Sequence, residues 1–276
     1  MSIAGQGRRW WPHAVLIGTA IVILVPVIWV VLAGLRTQIS LLMGEIMFRP
    51  VWTNFVEVLF SKTSDFLVNY RNSIIVAAAS TILCVSAATL AAWSLFRMRW
   101  PRWVTLVFFA WTMIFHLIPS LAIASGWYTL ARATGLHNTL LGVILGHAVL
   151  NLPMSLWLMT VFINDVPREL EEAARIDGAN TPELLWTIVL PIIAPGLAAT
   201  SILAFLFSWN EFAVALTLTS KQSATVPVAI AKFAQEFNIQ YTQMAAAATL
   251  SVIPALLVLL FAQRYIVRGL TNGAVK

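Results

Sequence analysis

Apolar runs long enough to cross a lipid bilayer recur along the whole sequence. About 20 helical residues span the hydrocarbon core of a membrane. Six runs of roughly this length lie at 14–34, 73–96, 103–123, 139–163, 192–218 and 244–262. Only 10% of the 276 residues are charged, whereas a soluble domain has about a quarter of its residues charged. The sequence therefore predicts an all-α, polytopic membrane protein with six transmembrane helices, forming one domain over residues 1–276.

Basic residues predict the orientation of these spans, because cytoplasmic loops carry an excess of Lys and Arg. With the N-terminus inside, ten basic residues lie on the cytoplasmic side and seven lie outside. The short turn 97–102 alone holds three of the ten. We therefore expect both termini to be cytoplasmic. Since the net charge of +6 comes from basic residues scattered over loops between spans, we expect the lipid bilayer, and no nucleic acid, as a partner.

Six of the eleven acidic residues fall in one predicted cytoplasmic loop, 165–191. A solvated hairpin between two spans would explain the charges alone. Local order favours a folded element, since Pro167 suits the first turn of a helix and Gly178 suits its left-handed end. Thr181-Pro182-Glu183 then predicts a second helix with Thr181 as its cap. We predict a helix–turn–helix in this loop.

The loop resembles the EAA motif of ABC importer permeases. Glu172-Ala173-Ala174 is followed after three intervening residues by Gly178 and, after nine more, by Ile188-Val189-Leu190-Pro191, which matches each motif position and its spacing. Residues 170–180 and 268–276 are similar to the second permease of maltose-type carbohydrate importers. The resemblance implies a type I ABC importer permease fold in the cytoplasmic (inner) membrane of a bacterium or archaeon.

The resemblance also implies the partners of the chain. The coupling helix that docks on an ATPase subunit would comprise Glu172, Ala173, Ala174, Arg175, Asp177 and Gly178. The C-terminal residues Thr271, Asn272 and Gly273 would reach between two nucleotide-binding ATPase subunits. A second related permease would complete a heterodimer, and an extracytoplasmic solute-binding protein would deliver the substrate.

No phosphate-binding motif G-x-x-x-x-G-K-[ST] occurs in the sequence. The four histidines are far apart, and none has a metal-ligand partner at helical spacing. We therefore expect no enzymatic activity and no cofactor in this chain, with ATP and Mg²⁺ bound by the partner subunits.

Polar residues inside apolar spans are the candidates for a substrate path, because such residues face a cavity or another helix. Asn151 lies near Pro153 in the fourth span, as His116 lies near Pro119 in the third, and interrupted helices often carry transport sites. Late in the fifth span, Trp209, Asn210 and Glu211 combine a ring and polar groups that could hold a sugar. Helix packing explains each of these positions equally well.

The substrate follows only from the resemblance. A trehalose- or maltose-like disaccharide is favoured, while polyols and glycerol phosphate remain open. In maltose-type permeases the loop corresponding to 219–243 meets the solute-binding protein, and a short interfacial segment is the alternative. An ion-coupled secondary transporter is the rival from another class, but it would need acidic residues in the spans, where only Glu211 occurs. A membrane enzyme is a weaker third hypothesis, since no nucleophile–base set is present.

Overall fold

The computed structural model describes residues 10–234 and 239–272, with side chains up to residue 263. In this part of the chain every regular element is a helix, so the predicted all-α class is confirmed. The helices are α1 Trp11–Gly34, α2 Gln38–Leu42, α3 Thr53–Phe60, α4 Phe66–Arg97, α5 Arg102–Leu117, α6 Ser120–Ala133, α7 Leu140–Asn164, α8 Arg168–Ile176, α9 Thr181–Leu184, α10 Leu190–Asn210, α11 Ala213–Leu218, α12 Val226–Ala231 and α13 Tyr241–Asn272.

Five helical segments are long and apolar enough to cross a membrane. They are α1, α4, α7, the segment Thr181–Asn210 and the segment Tyr241–Gln263 of α13. The bent pair α5 and α6 gives a sixth if it counts as one span. The predicted six spans are thus present only when this pair is counted together.

The predicted third span, 103–123, contains a sharp break between two helices. α5 ends at Leu117, α6 begins at Ser120, and their axes differ by 101°. Pro119 causes the break because it has no N–H to continue the helical hydrogen bonds. The residue before a proline also avoids helical geometry, and Ile118 is extended with φ −79° and ψ 122°.

The fifth long apolar helix has other bounds than the predicted span, 192–218. α9, a π-helical turn at Leu185–Val189 and α10 form one continuous helix over Thr181–Asn210, called here the α9–α10 helix. The π turn shifts the hydrogen-bond pattern just before Pro191, so the proline does not end the helix. The helix stops at Asn210 because Glu211 is extended, with ψ 127°, and α11 follows separately.

The chain forms two compact units, Met1–Phe66 with Ile230–Val252 and Leu67–Ala229 with Ile253–Lys276. In the second unit, buried apolar side chains join α4, α7 and the α9–α10 helix. This core includes Trp93, Met159, Ile163, Leu184 and Val189. α10 approaches α7 closely at Gly196, where the ring of Phe162 occupies the place that a Cβ would take. The close approach makes these spans one packed block.

The first unit contains α1, α2, α3 and the start of α13. Gly34, at the end of α1, lies against the backbone of Ala246, 3.1 Å from the position of an added Cβ. The guanidinium of Arg36 donates to the carbonyl of Glu45 and lies 4.1 Å from the ring centroid of Phe48. Most of α1 is apolar and exposed within the chain, as expected for a helix that faces lipid or another subunit.

Candidate coupling loop and translocation path

The acidic loop folds as a short helix with an ordered end. α8 begins after Pro167 and carries Glu169 and Glu171 in its first turn, where the helix dipole favours negative charge. Gly178 follows the helix with φ +93°, and its N–H donates to the carbonyl of Arg175 at 3.1 Å. The N–H of Ala179 donates to the carbonyl of Ala174 at 2.9 Å. These two bonds form a Schellman motif, so the loop ends α8 at the predicted glycine.

Asn180, rather than Thr181, caps the second helix of the loop. Its side-chain oxygen accepts from the N–H of Glu183 at 3.0 Å, and Thr181 is the first helical residue. Asn and Thr are both favoured at helix caps, so residue preference alone did not separate two adjacent candidates.

A buried ion pair ties α8 to the spans, and sequence reasoning missed it. Arg97 Nε, at the end of α4, donates to Glu171 Oε1 at 2.6 Å, and each side chain is 6% exposed. Arg97 Nη2 also donates to the carbonyls of Ile163 and Val166, at 3.1 Å and 2.8 Å. One guanidinium therefore joins the end of α4, the end of α7 and the first turn of α8. The sequence contains no pattern that indicates a contact between these two residues, which lie far apart along the chain.

The other side of α8 is open to solvent. Its exposed residues include Glu172, Ala173, Arg175, Asp177 and Gly178. Ala174 instead packs against the apolar core, so only one alanine of the pair leaves an open surface. Ile176 is 86% exposed among these charges, and Trp186 on the next helix is 73% exposed. Large apolar side chains within a polar rim are typical of protein–protein contact surfaces. Neither was among the predicted site residues.

The residues predicted for the substrate path lie in different environments. Trp209 is 3% exposed, with its ring centroid 5.6 Å from that of Tyr70 and 6.2 Å from that of Phe205. Asn210 is exposed, and its amide donates to the carbonyl of Leu206 in its own helix. The ring of Trp209 is enclosed by aromatic neighbours, which is the packing role that the sequence left open.

Two further candidates for the substrate path, Asn151 and His116, also differ in their surroundings. Asn151 is half-buried in α7, which continues through Pro153 without a break, and its amide nitrogen lies 3.5 Å from the carbonyl of Ala204. His116 is exposed in the last turn of α5, beside the bend at Pro119. His116 therefore lies at the junction of α5 and α6.

Glu211 acts where α10 ends and α11 begins. Its carboxylate accepts from the N–H groups of Val214 and Ala215, each at 2.9 Å, and so caps α11. Its Oε2 lies 3.2 Å from His147 Nε2, an ion-pair distance without hydrogen-bond geometry. The carboxylate of Glu211 therefore caps α11 at the break between the two helices.

His147, on α7, belongs to a buried polar chain that links α7, α10 and α4. Its Nδ1 lies 2.8 Å from the hydroxyl of Ser208 on α10, which accepts from the hydroxyl of Ser80 on α4 at 2.9 Å. His147 was not among the residues predicted to form a site. An ionisable residue inside a span costs free energy unless it is paired. The position of His147 inside an apolar span therefore indicates that it has a polar partner.

The loop 219–243 is anchored to neighbouring segments in its described part. The amide of Asn72 donates to the carbonyls of Gln222 and Ala224 at 2.9 Å and 3.1 Å. Asn138, with φ +58°, accepts from the N–H of Ser220 at 3.0 Å. These bonds make the start of the loop a folded surface.

The predicted C-terminal contact falls at the limit of the described residues. Thr271 and Asn272 end α13, but their side chains, and the whole of Gly273, lie outside the described part of the chain.

Comparison with known proteins gives consistent matches. Residues 85–272 match the family model described as "Binding-protein-dependent transport system inner membrane component". The trehalose/maltose transport system permease protein MalG of Thermococcus litoralis is 33% identical over 93% of each chain. The trehalose transport system permease protein SugB of Mycobacterium tuberculosis is 32% identical over 92% of each chain. A chain in the crystal structure of a bacterial ABC transporter that imports alginate has a TM-score of 0.74 and 23% identity, over 96% of this chain and 99% of that one.

Proposed function

The chain belongs to the family of binding-protein-dependent transport system inner membrane components, and we propose that it is a permease subunit of an ATP-driven ABC importer for a sugar. The observation that carries the proposal is α8, an exposed charged helix fixed to the spans by a buried ion pair. An element that is open on one side and rigidly held on the other suits the transfer of movement between subunits.

The route of that movement follows from the contacts of α8. Arg97 connects Glu171 to the ends of α4 and α7, and Ala174 packs on the core that α4, α7 and the α9–α10 helix share. A displacement of α8 by a closing ATPase subunit would therefore pass to three spans at once. Packed interfaces move between discrete arrangements more readily than they deform, so the spans would rock between inward and outward access.

The partners complete this mechanism. Two nucleotide-binding subunits would bind ATP and Mg²⁺ and receive α8 through Glu172, Arg175 and Ile176. A second permease would enclose the path, and the exposed apolar surface of α1 offers area for such contacts. With both termini cytoplasmic, the anchored loop 219–243 lies outside, where a solute-binding protein would deliver the sugar.

A trehalose- or maltose-like disaccharide is the proposed substrate. Two relatives about one-third identical to this chain over nearly their whole length carry trehalose or maltose in their names. The described path residues add hydrogen-bonding groups, Asn151 on α7 and Asn210 at the end of α10.

Reconstitution into proteoliposomes tests the proposal. The chain, its second permease, the ATPase and the solute-binding protein should together take up labelled trehalose only when ATP is present. Uptake that follows an ion gradient without ATP would contradict it. Docking is tested by Ile176→Asp, which should reduce the ATPase that co-purifies with the chain. The matched control Ile46→Asp changes an equally exposed isoleucine of the first unit, 90% exposed, and should leave ATPase recovery unchanged.

A further inference from the structure

The first compact unit holds a cavity of about 400 Å³ that is lined almost entirely by polar residues. This cavity, called here the amide cavity, is lined by Thr37, Gln38, Val51, Thr53, Asn54, Glu57, Gln240, Thr242 and Gln243. Eight of the nine are polar, four of them are amides, and none is Lys or Arg. The volume lies in the range of small-molecule sites, about 300–1,000 Å³. Ordinary ligand pockets are lined mostly by hydrophobic and aromatic side chains, so this set of lining residues favours a ligand with several hydroxyl groups.

The floor of the amide cavity is held rigidly. The buried amide of Asn54 donates to the carbonyls of Gly34 and Arg36, at 2.8 Å and 2.7 Å. The oxygen of Asn54 accepts from the hydroxyl of Thr242 at 3.1 Å. Gln38 Nε2 donates to the carbonyl of Ile239 at 2.7 Å. These bonds fix the floor in advance, which reduces the ordering cost of binding.

Several side chains at the rim of the amide cavity have polar atoms that can still form hydrogen bonds with a ligand. Gln243 Nε2 donates to Glu57 Oε2, so the carbonyl oxygen of Gln243 and the second oxygen of Glu57 can still accept. Among the described residues, the side chains of Gln240 and Thr53 make no hydrogen bond. The lining therefore offers both donors and acceptors, and a sugar hydroxyl can use both because it donates and accepts.

The charge of the lining residues disfavours an anionic ligand. Glu57 is the one ionisable residue in the lining. Arg36 lies outside the lining, where its guanidinium donates to the backbone carbonyl of Glu45 and lies over the rings of Phe48 and Trp29. A carboxylate or phosphate on the ligand would face Glu57 without a compensating cation. A neutral sugar meets no such repulsion.

We propose that the amide cavity binds a glycosyl unit of a neutral sugar on the extracytoplasmic side of the membrane. The proposal rests on the proposed sugar specificity and on the cytoplasmic N-terminus, which place the α2–α3 loop outside. None of the lining residues belongs to the set predicted for the substrate path, so this is an additional sugar site.

Binding to the assembled transporter tests the proposal. The complex of permeases and ATPase, in lipid nanodiscs without the solute-binding protein, is titrated with trehalose and separately with glucuronic acid. The measurement is saturation-transfer NMR. Trehalose should bind at least tenfold more tightly than glucuronic acid. The double variant Glu57→Ala/Gln243→Ala should weaken trehalose binding at least tenfold, and Gln240→Ala should weaken it severalfold.

A matched control separates the cavity from the surrounding loop. Glu45→Ala removes another exposed glutamate between α1 and α4 whose side chain is outside the cavity, and it should leave trehalose binding unchanged. ATPase activity and melting temperature report whether each variant assembles. Equal trehalose binding by the wild type and the double variant overturns the site, even if ATP-dependent trehalose uptake is normal. Absence of any ATP-dependent sugar uptake instead overturns the proposed function.

Discussion

Arg97 and Glu171 form an ion pair of 2.6 Å between α4 and α8, with each side chain only 6% exposed. Because Arg97 also donates to the carbonyls of Ile163 and Val166, the guanidinium has three acceptors on two further segments. Arg suits this role, since its planar fork can reach several oxygens at fixed angles, whereas Lys presents a single charged point. The pair therefore sets the direction of α8 relative to the ends of the spans in its unit.

Glu171→Ala should destabilise the chain strongly. Removing one partner of a buried pair leaves the other charge uncompensated, at a cost of about 3–5 kcal/mol. The variant should show a lower melting temperature in detergent before any partner is added, and a lower ratio of transport to ATP hydrolysis in the complex.

The neighbouring residue provides the control. Glu172→Ala removes an exposed glutamate one position away, so its effect on stability should stay within about 0.5 kcal/mol. Its effect should appear only as weaker recovery of the ATPase. If both variants melted at the same temperature, the ion pair would not be the anchor of α8.

Gly178→Ala should uncouple ATP hydrolysis from transport. The glycine has φ +93°, and no atom lies within 4 Å of an added Cβ, so the effect comes from backbone strain of about 1–2 kcal/mol. The strained residue would shift the turn that ends α8, and with it the docking surface. Gly178→Asn should be milder, because Asn tolerates this conformation better. The measurement is transport per ATP hydrolysed in proteoliposomes.

Gly135→Ala is the matched control for that change. Gly135 has φ +71° and equally open surroundings, but it lies between α6 and α7. A similar loss of stability with unchanged coupling is expected. Equal uncoupling by both variants would show that general strain, and not the turn of α8, is responsible.

Local sequence predicted the elements whose causes are local. The length of apolar runs predicted most spans, and Gly178 predicted the end of α8. Pro119 was identified as an interruption of the third span, but the 101° bend was not predicted, because a proline inside an apolar run is compatible with either a kinked or a broken helix. The pairs Arg97–Glu171 and His147–Glu211 were missed because they join residues far apart in sequence, and only packing of the helices decides which charges meet.

Glu211→Ala should destabilise the junction of α10 and α11. The carboxylate accepts two N–H bonds at the start of α11, and loss of such a cap costs about 1–2 kcal/mol. Glu211→Gln keeps one acceptor oxygen and should retain part of the stability. Asn210→Ala is the control, since its exposed amide bonds only within its own helix. Melting temperatures of the three variants provide the comparison, and an effect of Asn210→Ala as large as that of Glu211→Ala would contradict the capping role.

Gly196→Ala should separate α10 from α7. The ring of Phe162 already occupies the position of the added methyl group, and overpacking of this kind costs about 1–3 kcal/mol. Gly18→Ala in α1 is the control, because nothing lies within 4 Å of its added Cβ. That change should be neutral or stabilising by up to about 1 kcal/mol, since Ala favours helix over Gly. In a Phe162→Leu background the cost of Gly196→Ala should fall, because residues in contact are not additive. Melting temperatures of the four members of this cycle measure the coupling, and a cost that is the same in both backgrounds would show that the ring does not limit the approach of the two spans.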